Sequence, residues 1–244
     1  MVGSDKGRAL VTGGSRGIGA AVVRRLAADG FAVILNYRSN EDAARAVQAE
    51  VQASGGEVTL CAFDVANRAA TAQAIAGLLE DSRPISVLVN NAGVTADAAF
   101  PAMSAEQWDR VLQTTLNGFY HVTQPLIMPM VRRKYGRIIN MSSISGISGN
   151  RGQVNYAAAK AGLLGATKAL SLELAKRRIT VNAIAPGLID TEMVQGIPPE
   201  MAKAIVPMQR LGTPQEVAAL VSFLAGNEAG YITGQVFRID GGLG

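Results

Sequence analysis

Residues 8–28 read RALVTGGSRGIGAAVVRRLAA and contain a short apolar run, a glycine-rich turn and an alanine-rich helical pattern. In the turn, residues 12–19, the glycines follow the spacing GxxxGxG. Glycines there permit a tight turn and bring backbone N–H groups close to a pyrophosphate, while the N-terminus of the helix offers partial positive charge. The spacing alone is weak, because any strand-to-helix turn can use three glycines. Its position between a first strand and a first helix predicts a dinucleotide site.

The same alternation of short apolar runs and longer helical patterns continues along the chain. It predicts successive βαβ units and therefore a doubly wound parallel sheet of the Rossmann type, with seven strands in a single domain, residues 1–244. The predicted strands are residues 8–12, 32–36, 57–63, 85–90, 136–142, 179–184 and 235–239. Helices with the length that a parallel crossover needs are predicted at residues 17–29, 40–54, 67–82, 104–134, 153–177 and 214–225.

Composition limits the classes of function. With 48% hydrophobic and 17% charged residues, the 244-residue chain has the composition of an ordinary globular protein. The net charge of +4 is small, and the sequence contains no run of five or six Lys/Arg residues, which argues against nucleic-acid binding. No apolar stretch approaches the roughly 18 residues that cross a bilayer, and residues 9–12 are too short for a signal-peptide core, so we expect a soluble cytoplasmic protein. The single cysteine, Cys61, excludes an internal disulfide framework and is expected to be a buried strand residue.

The end of the second predicted strand indicates which dinucleotide binds. NAD enzymes usually place an acidic residue there to bind the ribose hydroxyls. Here residues 36–39 read NYRS, and no carboxylate occurs before Glu41. Arg38 and Arg16 are suited to pair with a phosphate, so the sequence favours the 2′-phosphate of NADP. The alternative is that Arg38 is a solvated loop charge.

Two further segments follow predicted strands at the carboxyl edge of the sheet, the usual ligand crevice of this fold. Asp64 and Val65 follow strand three, and residues 90–93, NNAG, follow strand four. Asn and Gly are also common in turns for conformational reasons alone. Because both segments share one edge with the glycine turn, we expect them at the same site.

A second group of residues suggests acid–base chemistry. Strand five delivers Ser143 to the carboxyl edge, and Tyr156 and Lys160 follow four residues apart in YAAAK, on one face of a predicted helix. A nearby cation lowers the pKa of a phenol, so Lys160 is expected to lower that of Tyr156. Tyr156 is then suited to give a proton to a carbonyl oxygen that the Ser143 hydroxyl holds during hydride addition. The alternative is a tyrosine packed in the core beside a solvated lysine.

Together these motifs resemble those of the short-chain dehydrogenase/reductase family. The resemblance covers the whole chain and rests on TGGSRGIG at 12–19, NNAG at 90–93, the serine-bearing fifth strand, YAAAK at 156–160 and Pro186-Gly187. Within the family the chain is most similar to bacterial 3-oxoacyl-[acyl-carrier-protein] reductases, through GRIINMSSISG at 136–146, GNRGQVNYAAAKAG at 149–162, ITVNAIAPGLIDTEM at 179–193 and the ending YITGQVFRIDGG.

The resemblance implies an NADP(H)-dependent homotetramer of fatty acid biosynthesis in which Ser143, Tyr156 and Lys160 act on the carbonyl and Lys160 also holds the nicotinamide ribose. It implies that acyl carrier protein meets the basic residues Lys134 and Arg177, so that a carrier-bound 3-oxoacyl thioester is the expected substrate. Besides Tyr156 and Lys160, the residues implied to line the NADP site are Gly13, Ser15, Arg16, Ile18, Arg38, Asp64, Val65, Asn91, Gly93, Ile189 and Thr191.

One position departs from the family pattern. The family commonly has an asparagine, within TNL, that supports a water relay to the lysine; here the stretch 114–117 reads TTLN, with Thr115 at that position. Asn117 is displaced by two residues and is expected to point about 200° around a helix from Thr115, so it does not substitute. The relay is in doubt, whereas the core chemistry is not.

Other features have plainer interpretations. Lys134 and Arg177 lie at helix ends, where cations also favour the helix dipole. The only histidine, His121, and Trp108 are expected to be helix residues without a catalytic role, and no metal site is expected. The irregular stretch 186–213 is predicted to be a flap over the substrate site, with a plain connector as the alternative. Two other functions stay open: an NADPH-dependent reductase of another ketone, such as acetoacetyl-CoA or a polyketide, sugar or xenobiotic ketone, and a non-enzymatic NADP-binding sensor.

Overall fold

The computed structural model describes residues 7–194, 200 and 204–244. Within these residues, seven parallel strands form one sheet in the order β3-β2-β1-β4-β5-β6-β7. The predicted fold is confirmed, and every predicted strand agrees with the structure to within about two residues at each end. The strands are β1 (Arg8–Val11), β2 (Ala32–Tyr37), β3 (Val58–Ala62), β4 (Ile85–Asn90), β5 (Gly136–Met141), β6 (Ile179–Pro186) and β7 (Val236–Ile239).

The helices are α1 (Gly17–Ala28), α2 (Glu41–Ala53), α3 (Arg68–Leu79), α4 (Ala105–Leu112), α5 (Gly118–Arg133), α6 (Ser145–Ser148), α7 (Val154–Leu174) and α8 (Pro214–Ala225). The prediction of one helix over residues 104–134 is wrong in one respect. A π-helical segment, Gln113–Asn117, joins α4 to α5. Because a π turn holds an additional residue, α5 is rotated about its axis relative to a continuous α-helix. In the described part of the chain, none of the helices has the length and apolar character that crossing a bilayer requires.

Two hydrophobic clusters cover the two faces of the sheet. In β1, Val11 belongs to the cluster beneath α1, α2 and α8, while its neighbour Leu10 belongs to the cluster beneath α3, α5 and α7. Leu35 and Ile34 in β2 divide in the same way. Successive side chains of a strand point to opposite faces, so a continuous apolar run fills both clusters. The sheet is therefore covered by helices on both sides.

Cys61 is less buried than the sequence predicts. It lies in β3, as expected, but its side chain is only partly buried, and its neighbours Thr59 and Ala62 are exposed. The reason is that β3 is the last strand in the sheet order and pairs only with β2. Partial burial still raises the pKa of the Cys61 thiol, which makes it a poor nucleophile at neutral pH.

The strand order creates the crevice in which the site lies. From β1 the chain proceeds to β2 and β3 on one side, and then returns to add β4 on the other side of β1. The loops that follow β1 and β4 therefore leave the sheet in opposite directions. Ligands of open parallel sheets bind at such a switch point, beyond the carboxyl ends of the strands.

Candidate active site

A cleft of about 330 Å³ opens at the carboxyl ends of β1, β2, β4 and β5. Two predicted site residues do not line it. Ser143 directly follows the cleft residue Ser142 and is near enough to Tyr156 to influence the pKa of its phenol, and Ile189 is buried in the core. The cleft brings together the other predicted site residues, which are Gly13, Ser15, Arg16, Ile18, Arg38, Asp64, Val65, Asn91, Gly93, Tyr156, Lys160 and Thr191.

The glycine turn has the geometry that the sequence predicts. Gly13 has φ of +63°, a region that side chains other than glycine rarely adopt. A Cβ atom on Gly19 would overlap the Gly13 carbonyl oxygen and would lie 2.6 Å from Nδ2 of Asn91. The first turn of α1 therefore approaches the strand-to-helix loop as closely as backbone allows, which presents the helix N-terminus to the cleft.

Asn91 supports the glycine turn from the next strand. Its Nδ2 donates to the carbonyl oxygens of Thr12 and Gly13, both at 3.0 Å. In return, Oγ1 of Thr12 accepts from the backbone N–H groups of Asn91 (2.9 Å) and Ala92 (3.0 Å). The loops after β1 and β4 are thus tied together across the crevice. This supporting role of Asn91 and Thr12 was not predicted, because residues about 80 positions apart carry no local sequence signal for it.

Asn36 connects the glycine turn to the end of β2. Its Oδ1 accepts from the backbone N–H of Gly13 (3.2 Å), and its Nδ2 donates to the Phe63 carbonyl oxygen (3.0 Å). Two residues later the chain leaves the sheet, and Arg38 is exposed at the rim of the cleft. Arg38 has no ion-pair partner among the residues that the structure describes. Its guanidinium is therefore available to an anion at this end of the cleft.

Arg16 is engaged differently. Its Nη1 lies 2.7 Å from Oε2 of Glu192, and both side chains are more than half exposed. Glu192 follows β6 and also lines the cleft. This partner lies 176 residues away along the chain, and local sequence patterns around β2 did not predict it. The ion pair spans the mouth of the cleft, and an anion bound by Arg16 would compete with Glu192.

The segment after β3 is fixed by its own backbone and by His121. Oδ1 of Asp64 accepts from the backbone N–H of Ala66 (2.9 Å), which forms a tight turn. The Val65 carbonyl oxygen lies 2.9 Å from Nδ1 of His121, a hydrogen-bonding contact between α5 and this turn. His121 thus has a structural role at the edge of the site. Trp108 is partly buried in α4 and does not line the cleft.

Helix α7 carries Tyr156 and Lys160 and is seated on the end of β5. The fully buried Nζ of Lys160 donates to the Met141 carbonyl oxygen at 2.7 Å, and Oγ of Ser142 donates to the Lys160 carbonyl oxygen at 2.8 Å. Nζ lies 5.5 Å from the centre of the Tyr156 ring. The ammonium and the phenol are thus neighbours, as the i, i+4 spacing predicts. The alternative of a solvated lysine is wrong.

The pKa values of this pair differ from the sequence expectation. Burial lowers the pKa of Lys160 to about 8. Burial raises the pKa of Tyr156, opposed by the hydrogen bond from Ser143 and reinforced by the negative charge of Asp97. The expected lowering of the Tyr156 pKa is therefore wrong, because desolvation of the phenol is the largest influence on it and raises it. A phenol with a raised pKa is fully protonated at neutral pH, the state required of a proton donor.

Thr115 lies in the π-helical segment behind the site. It is 3% exposed, and its Oγ1 is buried without a hydrogen-bond partner among the described residues. Asn117 is exposed to solvent on another face of the same segment. The prediction that Asn117 does not substitute for Thr115 is confirmed. A π turn inside a helix is frequent at functional sites.

Lys134 and Arg177 are not at the cleft. Lys134 ends α5 two residues before β5 begins, and Arg177 ends a 3₁₀ turn two residues before β6 begins. Both therefore lie at the amino edge of the sheet, where Gly136 pairs with Ile179. The six residues of β5 separate this edge from the cleft by about 20 Å.

The predicted flap, residues 186–213, is described only in part, since residues 195–199 and 201–203 lie outside the described residues. Its two ends are joined by a parallel bridge between Ile189 and Gly212. Between them, the backbone N–H of Met208 donates to the Gly241 carbonyl oxygen at 3.1 Å. The predicted flap thus begins at the carboxyl end of β6 and is tied back to that end by the bridge, while its function as a cover stays a prediction.

Comparisons with known proteins find relatives over nearly the whole chain. Residues 13–244 match the family model described as Enoyl-(Acyl carrier protein) reductase. The chain is 49% identical over 236 residues to 3-oxoacyl-[acyl-carrier-protein] reductase FabG of Aggregatibacter actinomycetemcomitans, covering 96% of this chain and 98% of that protein. It is 48% identical over 238 residues to the acetoacetyl-CoA reductase of Shinella zoogloeoides, covering 96% and 97%.

A solved structure shows the same fold. A putative gluconate dehydrogenase from Agrobacterium tumefaciens superposes with a TM-score of 0.93 at 32% sequence identity, and the match covers 97% of this chain and 95% of that one. Sequence and structure therefore agree over nearly the full length of the chain. The chain belongs to the short-chain dehydrogenase/reductase family of oxidoreductases.

Proposed function

We propose that the protein reduces a 3-oxoacyl thioester to the 3-hydroxyacyl thioester with NADPH, and that Tyr156 is the proton donor. The observation that carries the proposal is the position of Tyr156 beside the buried Lys160, whose Nζ lies 5.5 Å from the centre of the Tyr156 ring, at one end of a cleft whose other end is the glycine turn. Two relatives that match nearly the whole chain are named as a 3-oxoacyl-[acyl-carrier-protein] reductase and an acetoacetyl-CoA reductase.

The residues of the cleft fit a dinucleotide with a phosphorylated ribose. The close approach of Gly19 to Gly13 leaves backbone rather than side chain at the helix N-terminus, where a pyrophosphate binds. Arg38, directly beyond β2, and Arg16, in the glycine turn, both line the cleft and supply the positive charge for a 2′-phosphate. Lys160 is the buried cation at the opposite end. When bound, the reduced nicotinamide supplies the hydride.

The proton comes from the protein. As the ketone carbon is reduced, negative charge develops on its oxygen, and a Tyr156 hydroxyl within hydrogen-bond reach donates its proton there. The Ser143 hydroxyl orients that oxygen and stabilises its charge. The ammonium of Lys160 then stabilises the phenolate that Tyr156 has become, since a nearby opposite charge favours the ionised form. Each of the three side chains thus has a separate task.

Acyl carrier protein is the proposed carrier of the substrate, because the first of these relatives is named for it. Its proposed contacts are Lys134 and Arg177, whose positive charge complements an acidic partner. They lie at the edge opposite the cleft of the same subunit. The docking proposal therefore depends on the proposed homotetramer. In it, a carrier protein bound to one subunit delivers its acyl group to the cleft of another subunit. The cytoplasmic location expected from the sequence stays a prediction.

Coenzyme A is the second candidate carrier, since another relative of nearly equal identity is named an acetoacetyl-CoA reductase. The decisive experiment measures NADPH oxidation by the purified protein with acetoacetyl groups attached to acyl carrier protein and to coenzyme A. We expect kcat/KM to be higher for the carrier-bound substrate. A higher value for the coenzyme A thioester would assign the second carrier, and turnover of neither thioester would reject the proposed function.

A further inference from the structure

The residue before Tyr156 has a buried side chain with three hydrogen bonds. Asn155 is 0% exposed and lies in the first turn of α7. Its Oδ1 accepts from the backbone N–H of Tyr156 at 2.8 Å. Its Nδ2 donates to the carbonyl oxygens of Ala96 at 2.9 Å and Gln107 at 3.1 Å. Both amide protons of Asn155 are therefore used within the protein.

The partners of Asn155 belong to different parts of the chain. Ala96 lies in the loop after β4 that also contains Asn91 and Gly93, and Gln107 lies in α4. Two further bonds join the same loop to the residues just before α7. The backbone N–H of Ala98 donates to the Gly152 carbonyl oxygen at 2.9 Å, and Nε2 of Gln153 donates to Oδ2 of Asp97 at 2.8 Å. The start of α7 is thus attached to the crevice loop, and Asn155 is the buried member of this attachment.

The start of α7 depends on such an attachment. Gln153 occupies the N-cap position but makes no side-chain capping bond, and an uncapped first turn leaves backbone N–H groups without partners. Lys160, one turn further along, is held separately by the Met141 carbonyl oxygen. Asn155 therefore fixes the turn that carries Tyr156 relative to the part of the helix that carries Lys160.

We propose that Asn155 is a positioning residue for catalysis: its amide holds the Tyr156 phenol in line with Ser143 and Lys160. The inference rests on the proposed role of Tyr156 as proton donor. Asn155 does not line the cofactor cleft, so it acts on the reaction through Tyr156. Its loss lowers kcat and leaves the affinity for NADPH unchanged. Misplacement of a reacting group by about 1 Å can reduce a rate about 100-fold.

The test compares Asn155→Ala and Asn155→Asp in the full-length protein. The aspartate keeps the acceptor for the Tyr156 N–H, and its negative charge is favourable near a helix N-terminus. However, the aspartate cannot donate hydrogen bonds to the carbonyl oxygens of Ala96 and Gln107. We expect kcat for the acetoacetyl thioester to fall roughly 10–100-fold in both variants, with an unchanged Kd for NADPH in a fluorescence titration. An aspartate variant with the parental kcat would show that Asn155 only caps the helix, and would overturn the inference.

Asn182 provides the matched control. It is also a buried asparagine (1% exposed), its Nδ2 donates to the Ile232 carbonyl oxygen at 2.8 Å, and its Oδ1 accepts from the Gln235 N–H at 3.1 Å. It lies in β6 and does not line the cleft. Asn182→Ala is expected to lower Tm while keeping kcat. Equal losses of kcat in Asn182→Ala and Asn155→Ala would assign Asn155 a purely structural role and overturn the inference.

Tyr156→Phe separates this inference from the proposed function. If Tyr156→Phe retains full activity, the proposed proton donor is wrong. If Tyr156→Phe is inactive while the Asn155 variants keep kcat, the positioning role alone is wrong. Should Asn155→Ala fail to fold, Asn155→Ser provides the same comparison.

Discussion

Replacement of Arg38 by glutamine tests the assignment of the cofactor. Arg38 is exposed at the rim of the cleft, directly beyond β2, and has no ion-pair partner among the residues that the structure describes. Its guanidinium is proposed to bind the 2′-phosphate, the group that distinguishes NADPH from NADH. Arg38→Gln keeps a side chain that can donate a hydrogen bond but removes the charge. The variant should therefore bind NADPH more weakly and bind NADH as before.

The magnitude follows from the exposure of Arg38. A hydrogen bond to a charged group contributes about 1.5–3 kcal/mol, and solvent screening at an exposed site favours the lower end of this range. About 1.4 kcal/mol corresponds to a tenfold change in a binding constant. We therefore expect the Kd for NADPH to rise about tenfold, and the difference between NADPH and NADH to shrink by the same factor. Titrations of the protein with NADPH and with NADH measure both changes. They are done at low and high salt, because salt screens the contact between Arg38 and the phosphate.

Arg45→Gln is the control for this prediction. Arg45 is an exposed arginine of α2 that pairs with Glu41, and it does not line the cleft. Its replacement should leave both cofactor affinities unchanged. An Arg38→Gln variant that loses affinity equally for NADPH and NADH, or keeps its preference in full, would refute the assignment of the 2′-phosphate to Arg38.

Three further predictions concern protonation, the glycine turn and the carrier. Burial lowers the pKa of Lys160 to about 8 from the ordinary 10.5, so the unfolded state binds more protons between these pH values. The free energy of unfolding of the parent protein should therefore rise relative to that of Lys160→Met as pH rises through this window, by about 1.4 kcal/mol per pH unit. Denaturant titrations of both proteins at several pH values measure this difference. A difference in stability that does not depend on pH would contradict the prediction. Gly19→Ala places a Cβ against the glycine turn and should abolish NADPH binding, whereas Gly77→Ala in α3, which meets nothing within 4 Å, should bind as the parent does. Charge reversal of Lys134 and Arg177 should raise KM for the carrier-bound thioester and not for the coenzyme A thioester, whereas equal effects on both would reject docking at these residues.

Local sequence patterns predict the fold and most of the cleft. The alternation of apolar runs and helical patterns determines the strands, because each buried strand needs residues that fill both faces of the sheet. The glycine turn, Arg38 and the pair of Tyr156 and Lys160 follow from spacing along one or two elements. Parallel strands then bring their carboxyl ends to one edge, so residues from distant parts of the chain converge without any further signal.

Contacts between distant segments could not be predicted in this way. The pairing of Arg16 with Glu192 joins residues 176 positions apart, and the bonds of Asn155 join α7 to a loop about 60 residues earlier. Neither the raised pKa of Tyr156 nor the partial exposure of Cys61 is encoded locally. The first depends on the desolvation of the phenol, and the second on the position of β3 at the end of the sheet order. Tertiary packing decides both.

Tyr156→Phe tests whether Tyr156 gives the proton to the carbonyl oxygen, because it removes only the hydroxyl group. The measurement is kcat for NADPH-dependent reduction of an acetoacetyl thioester, together with Kd for NADPH. General acid catalysis contributes about 10²–10⁴-fold, so we expect kcat to fall by at least about 100-fold while Kd stays within about twofold of the parent value. A variant that keeps more than about half of the parental kcat would contradict the claim.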